Sequence, residues 1–265
     1  MLKLSGLYKT FGQGGPNEIV ALRGLDLLVK KGELVTIIGS NGSGKSTLMG
    51  CVAGSLAVDA GTIVLGSANV TAWPERRRAS LISRVFQDPL SGTCASMTVE
   101  ENLALAHRRG RPRGLRRGIL KGEREFFRAA LAPIGLGLES RLTDQVGLLS
   151  GGQRQALTLV MATMVRPALL LLDEHTAAQD PKTAALTMRL TMELVERDKL
   201  TTLMITHNLN QALEYGQRLV MLNQGRVVLD FAAEAKATLT VKSLLDHFLA
   251  SAERGDSFSD SQLFN

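Results

Sequence analysis

Residues 33–54 read ELVTIIGSNGSGKSTLMGCVAG. The first seven form a short apolar run entering a glycine cluster, as a buried central strand does. SGKSTLMGCVAG reads as a helix that starts where the cluster ends. Between them, Gly39 to Ser46 fits G-x-x-x-x-G-K-[ST] at every position. Glycines let backbone N–H groups wrap a polyphosphate without Cβ clashes, and the helix N-terminus adds favourable partial charge. The loop Gly39, Ser40, Asn41, Gly42, Ser43 and Gly44, with Lys45, Ser46 and Thr47, is therefore the expected site for a nucleoside triphosphate. Lys45 is expected at the β/γ-phosphates, and the Ser46 hydroxyl on Mg²⁺. An incidental glycine-rich turn would lack the flanking strand and helix.

Working outward, residues 2–11 and 19–29 alternate as antiparallel strands around a Gly/Pro-containing turn at 12–17. Strand-like runs follow at 61–66 and 83–88. Between about 91 and 149 the chain reads as helix-rich and carries the basic run RRGRPRGLRR. Beyond it come a helix at 151–165, a strand at 168–173, a helix at 181–198, a strand at 201–206, a helix at 208–215 and a hairpin over 218–230. Alternating β and α units imply a largely parallel sheet with helices on both faces. The expected fold is α/β: a P-loop NTPase core, an N-terminal antiparallel β subdomain and an inserted helical subdomain. The expected division is one ATPase domain over 1–230, with the helical insertion at 91–149, and a C-terminal helical extension over 231–265 ending in a frayed tail.

Composition narrows the class. Of 265 residues, 45% are hydrophobic and 21% charged, which supplies a core and excludes global disorder. Aromatics at 4% argue against a stacking platform for single-stranded nucleic acid. Two cysteines, Cys51 and Cys94, make neither a disulfide framework nor a four-ligand zinc site, so a reducing compartment is expected. The N-terminus lacks the apolar region of a signal peptide. The apolar stretch Ala156–Leu172 is broken by Arg166-Pro167 and falls short of the roughly 20 residues a membrane helix needs. The chain by itself is expected to be soluble. The formal charge of +6 is localised: residues 108–128 hold nine basic and two acidic residues. Such a run reads first as a solvated loop, next as a lipid-headgroup contact, and last as an RNA contact.

Four further features carry chemistry. LLLLDE, residues 169–174, is an apolar strand that delivers Asp173 and Glu174 at its C-terminal end, where parallel sheets bind ligands. Asp173 is placed to hold Mg²⁺ through water, and Glu174 to polarise an attacking water as general base. His207 follows another apolar strand and is expected at the γ-phosphate. Gln87, in VFQDP, gains weight only from its company. LSGGQRQ, residues 149–155, sets Ser150, Gly151 and Gly152 before a helix, which makes a second anion site at a helix N-terminus. One chain thus has two phosphate-binding devices but only one lysine-bearing loop.

GSNGSGKST, Gln87, LSGGQ, LLLLDE, HTAAQD and His207 follow in the order found in the ATP-binding cassette (ABC) superfamily, which the chain resembles over essentially residues 1–230. The resemblance implies ATP and Mg²⁺ as ligands, and a head-to-tail homodimer in which each ATP lies between one subunit's phosphate loop and the other's LSGGQ. Ser150, Gly151, Gly152 and Gln153 would then meet the partner's γ-phosphate. Gln87 would sense Mg²⁺ and the attacking water, and Asp180 would bridge the dimer. Phe11 would stack on adenine, with Tyr8 as its local rival. His175 stands where the family commonly has proline, and Gln179 where leucine is common. Neither departure removes a metal ligand or the base.

The resemblance further implies separate integral membrane permease subunits, an extracytoplasmic solute-binding protein acting through them, and a place on the cytoplasmic face of the inner membrane. No nucleic acid is expected. The permease would dock around residues 87–102. A narrower similarity, in PNEIVALRGLDL, DEHTAAQDPKTA and ITHNLNQALEYGQRLVML, is to importer cassettes related to amino-acid transport. The rival class is a soluble ABC ATPase acting on a ribosomal, DNA or cofactor-assembly target. Translation-type members carry two cassettes per chain, and chromosome-type members insert a long coiled coil between Gln87 and the signature. This chain has neither.

Overall fold

The computed structural model describes residues 1–111, 118–120, 122–177 and 179–252. Part of the basic run, Ala178 of HTAAQD and the terminal tail lie outside the described residues. Two compact units emerge: Met1–Pro74 with the chain from Thr201 onward, and Glu75–Leu200.

In the first unit, β1 (Leu2–Phe11) pairs antiparallel with β2 (Ile19–Val29), from Leu2 opposite Val29 to Phe11 opposite Ile19. β4 (Ala60–Leu65) flanks β1 on its other side and carries the two-residue β5 (Ala68–Asn69). A second sheet holds β3 (Leu34–Ile38), with β8 (Thr202–Ile205) and β9 (Arg218–Asn223) parallel to it on either side. β10 (Arg226–Phe231) closes that edge as the antiparallel arm of a hairpin with β9. All five residues of β3 are buried, which explains its unbroken apolar reading. Helix α1 (Lys45–Ala53) leaves β3 through the glycine loop.

The β9–β10 turn, Gln224-Gly225, takes positive φ at both residues (46° and 75°), the twist a two-residue hairpin prefers. Its tip is clasped. Gly225 N–H donates to the Ser43 carbonyl at 3.0 Å, and Arg23 N–H donates to the Gly225 carbonyl at 3.0 Å. A Cβ at Gly225 would stand 2.6 Å from the Ala21 carbonyl oxygen. The hairpin therefore buttresses the loop between β3 and α1.

Downstream lie α7 (Leu209–Glu214), α8 (Ala233–Ala237) and α9 (Val241–Ala252). Leu244 and Phe248, one helical turn apart on α9, are buried in a core with Ile38, Ala212, Leu219 and Met221. The chain after Phe231 thus contributes to the core beneath the phosphate loop.

The second unit contains α2 (Glu75–Arg78) and a parallel pair, β6 (Ile82–Val85) with β7 (Leu169–Asp173), registered Ile82 to Leu169 and Val85 to Leu172. Between them come α3 (Val99–His107), α4 (Glu123–Leu131) and α5 (Gly151–Thr163), and after β7 comes α6 (Pro181–Arg197). The described residues of the stretch expected as helix-rich hold two α-helices, α3 and α4, with loops and short 3₁₀ turns, among them Ala132–Ile134, Leu138–Ser140 and Val146–Leu148. Pro133 and the left-handed Gly135 and Gly137 (φ 70° and 71°) stop α4 from continuing.

In the described part of the basic run Arg111, Arg124 and Arg128 are exposed, while Arg108 and Arg109 are half-buried. Arg109 donates to the Ala162 and Val165 carbonyls at the end of α5, and desolvation lowers its pKa. Arg108 pairs with Glu123 at 3.0 Å, and Arg124 makes a two-pronged bond to Glu100 at 2.6 and 2.8 Å. These arginines hold α3, α4 and α5 together.

Candidate functional site

The first unit carries the glycine loop, and its glycines are needed for two different reasons. A Cβ on Gly39 (φ 152°) would lie 2.2 Å from the Leu222 carbonyl oxygen, and one on Gly44 (φ 101°) 2.5 Å from that of Ala21. Gly42 (φ 78°) faces open space, so only its left-handed backbone favours glycine. Gly44 caps α1 without a side-chain hydrogen bond, which leaves first-turn amides of the helix for an anion. Lys45 is folded across the loop, and its ammonium donates to the Gly39 carbonyl at 2.7 Å and that of Ser40 at 2.9 Å. Ser43 is buried and its Oγ has no hydrogen-bond partner. A buried orphan hydroxyl beside glycines that admit no side chain fits a phosphate oxygen as the missing partner.

His207 reaches the same place through strand register. Ile37 of β3 lies opposite Ile205 of β8, so two residues further on Gly39 and His207 emerge side by side. His207 and Thr206 line one cleft of about 80 Å³ with Gly39, Ser40 and Asn41, and Leu244 and Phe248 of α9 line its apolar side. Phe11, at the exposed end of β1, has the Lys9 ammonium 5.7 Å from its ring centroid. Tyr8 instead lies over Gly24, where a Cβ would come within 2.8 Å of its hydroxyl. Both aromatics are exposed.

In the second unit, Asp173 ends β7 and Glu174 follows with φ 46°, a left-handed backbone rare for a non-glycine residue. Sequence reading missed the partner of Asp173. Arg84 Nη2 donates to Asp173 Oδ2 at 2.6 Å, and its guanidinium lies over the Phe86 ring at 4.7 Å. Arg84 registers with Leu171, so Asp173 is its diagonal neighbour on the same face of the β6–β7 pair. A basic residue inside the strand-like ISRVF was the only available signal.

Gln87 is exposed just beyond β6, and Asp88 after it caps a 3₁₀ turn by accepting from Leu90 N–H at 2.9 Å. Gln155 of α5 donates to the Phe86 carbonyl beside Gln87 at 3.3 Å, a contact the sequence did not single out. Ser150 caps α5. Its Oγ accepts from Gln153 N–H at 3.2 Å, while Gln153 Oε1 accepts from Ser150 N–H at 3.1 Å. Gln153 also donates to the Leu136 carbonyl and accepts from Arg141. Its side chain is therefore occupied within the unit, and Ser150, Gly151 and Gly152 are the exposed or half-buried part of the motif. Gly152 lies against α6, where a Cβ would meet Thr183 Cγ2 at 2.4 Å. Asp180 caps α6 by accepting from Thr183 N–H at 3.1 Å, and the Thr183 hydrogen bonds hold its carboxyl below the usual range.

A family-wide sequence profile described as ABC transporter matches residues 22–177, more than half of the chain. This chain belongs to the ABC transporter ATP-binding family. The cassette is an ATP-binding ATPase of the α/β P-loop fold, with an antiparallel N-terminal sheet. It is 46% identical over 250 residues to a tyrosine transport ATP-binding protein of Clostridioides difficile, covering 94% of this cassette and 98% of that protein. It is 36% identical to a phosphonates import ATP-binding protein, PhnC, of Chromohalobacter salexigens, covering 89% and 85%. Among solved structures, the dimeric post-hydrolysis state of the cassette MJ0796 with ADP and Pi matches with a TM-score of 0.75 at 30% identity, over 88% of this cassette and 99% of that chain. Among the described residues, no helix of the cassette is long and apolar enough to cross a membrane.

Proposed function

We propose that this cassette is the ATP-hydrolysing subunit of an importer for a small amino-acid-type solute, with tyrosine or a related aromatic amino acid as the first candidate. The observation that carries the reading is near-full-length similarity to a tyrosine transport ATP-binding protein. Two separate anion cradles, the 39–47 loop and the start of α5, support a homodimer in which each cradle serves a different ATP. The dimeric structure of a similar cassette supports the same arrangement.

In this reading Lys45 leaves the Gly39 and Ser40 carbonyls for the β/γ-phosphates. The Ser43 hydroxyl and the loop amides satisfy phosphate oxygens, and Phe11 stacks on adenine. Ser46, Gln87 and, through water, Asp173 would hold Mg²⁺; all three are hard oxygen donors, which suits that ion. Bound there, the ion neutralises charge developing on the phosphates. Glu174 takes the proton of the attacking water, and His207 contacts the γ-phosphate. Ser150, Gly151, Gly152 and Gln153 meet the partner's nucleotide. Asp180 bridges the two copies. Separate permease subunits in the membrane receive the closing motion at residues 87–102, on the cytoplasmic face, and an extracytoplasmic binding protein selects the solute.

The test combines size-exclusion chromatography with uptake of labelled tyrosine in cells lacking the gene. Glu174→Gln should bind ATP without hydrolysing it and elute as a dimer, and Ser150→Arg should stay monomeric while still binding ATP. Wild type should restore uptake, and neither variant should. Retained turnover in Glu174→Gln refutes the base, whereas restored uptake of another solute in place of tyrosine refutes only the substrate.

A further inference from the structure

The two departures from the family pattern, His175 and Gln179, are engaged with each other's neighbourhood. His175 is buried in the second unit, and its Nε2 lies 3.0 Å from Thr191 Oγ1. The Thr191 hydroxyl donates to the Thr187 carbonyl at 2.7 Å. With its one proton committed there, the Thr191 oxygen accepts from the histidine, so the ring carries its hydrogen on Nε2. One helical turn away, Thr187 Oγ1 donates to Gln179 Oε1 at 2.9 Å. Gln179 Nε2 reaches back to the His175 carbonyl at 3.5 Å.

Thr187 and Thr191 are four residues apart on α6 and both are buried, so they form one polar stripe on the helix face beneath the loop. Glu174 precedes His175 and holds a left-handed backbone, and Asp180 follows Gln179 and caps the same helix. The loop is thus pinned to α6 at its first and fifth positions after Glu174, and again at its end through the Asp180 cap. Apolar residues would fill this space at lower desolvation cost. What the polar stripe adds is direction: each hydrogen bond permits one placement of the loop.

We propose that His175 and Gln179 are positioning residues for hydrolysis, seated on Thr191 and Thr187 so that the backbone of Glu174 is held in its left-handed turn. The inference rests on Glu174 being the base. It assigns a function to residues seated against α6, and it makes the chemical step sensitive to the hydroxyls of Thr187 and Thr191 on that helix. A base misplaced by a fraction of an ångström loses rate while nucleotide affinity, set elsewhere, is kept.

The experiment compares Thr191→Val with Thr191→Ser in the purified full chain, measuring kcat, KM for ATP and affinity for a fluorescent ATP analogue. Valine should lower kcat by about tenfold or more, with KM and analogue affinity within about twofold of wild type. Serine, which restores the hydroxyl, should recover most of kcat. Equal kcat for the two variants, or a valine effect confined to KM, overturns the proposal. If Thr191→Val does not fold, Gln179→Ala at the half-buried end of the loop is read the same way. Glu174→Gln separates the two readings. An inactive glutamine variant beside a fully active valine variant rejects positioning alone. Retained turnover in Glu174→Gln rejects the base, and with it any positioning through Glu174.

Discussion

Lowering the pH should destabilise the protein through His175. In the folded chain this imidazole titrates at about 4, against an ordinary value of 6.5, because burial penalises the charged ring. The unfolded chain therefore binds a proton between those values that the folded chain refuses. Stability from this group is fully present above pH 6.5 and is lost as pH falls toward 4. At pH 5 the loss amounts to about 2 kcal/mol, rising to roughly 3 kcal/mol at pH 4 and below. Carboxylates titrate in the same window, so the assay must be differential. Urea midpoints of wild type and His175→Gln, which keeps a donor for Thr191 without a titrating ring, should be compared at pH 8, 6 and 5. Wild type should lead at pH 8, and its lead should shrink by about 2 kcal/mol at pH 5. An NMR titration of the native protein should find the His175 ring neutral down to about pH 5. A difference between the two proteins that is constant with pH, or a ring midpoint near 6.5, refutes the reasoning.

Two other perturbations test the site's construction. Gly39→Ala forces a Cβ to 2.2 Å from the Leu222 carbonyl oxygen, whereas Gly42→Ala meets only open space and a left-handed backbone. The first should abolish binding of a fluorescent ATP analogue and lower the melting temperature; the second should cost about 1–2 kcal/mol. Equal losses would show that the Gly39 contact does not constrain the loop. Arg84→Met removes the countercharge from an Asp173 side chain that is 14% exposed. The loss should be about 1–2 kcal/mol in chemical unfolding, below the 3–5 of a fully buried pair because water still reaches the carboxylate. No change would mean the ion pair is as weak as a surface one.

The phosphate loop was legible because its marks in the sequence are local, although the carbonyls that exclude a Cβ at Gly39 and Gly44 come from elsewhere in the chain. A buried strand, glycines required by the carbonyls of Leu222 and Ala21, and a helix start lie within about twenty consecutive residues. His207 was legible at one remove, since a parallel register from Ile37 to Ile205 brings two strand ends together whatever the intervening chain does. The helix-rich character of 91–149 was legible, whereas its breakdown into 3₁₀ turns after α4 is decided by the local geometry of Pro133, Gly135 and Gly137. The place of α9 was not legible. Leu244 and Phe248 show helical spacing in the sequence, but nothing there says that their partners are Ile38 and Met221.

The polar partners were hidden for a stronger reason. Arg84 and Asp173 are 89 positions apart, and their meeting depends on β6 lying beside β7 in one particular register. A one-residue slip would turn Arg84 to the opposite face. His175 and Gln179 read only as departures, because Thr187 and Thr191, seen alone, are ordinary threonines within a helical stretch. Proline and leucine side chains need no hydrogen-bond partner, whereas a buried histidine and a half-buried glutamine at the same positions call for one. Each replacement therefore implies a second polar residue facing it, and here both facing residues lie on one stripe of α6. Two unusual residues at the first and fifth places of one loop are then one structural feature. The position to inspect after a polar departure in a buried loop is the helix face that the loop covers.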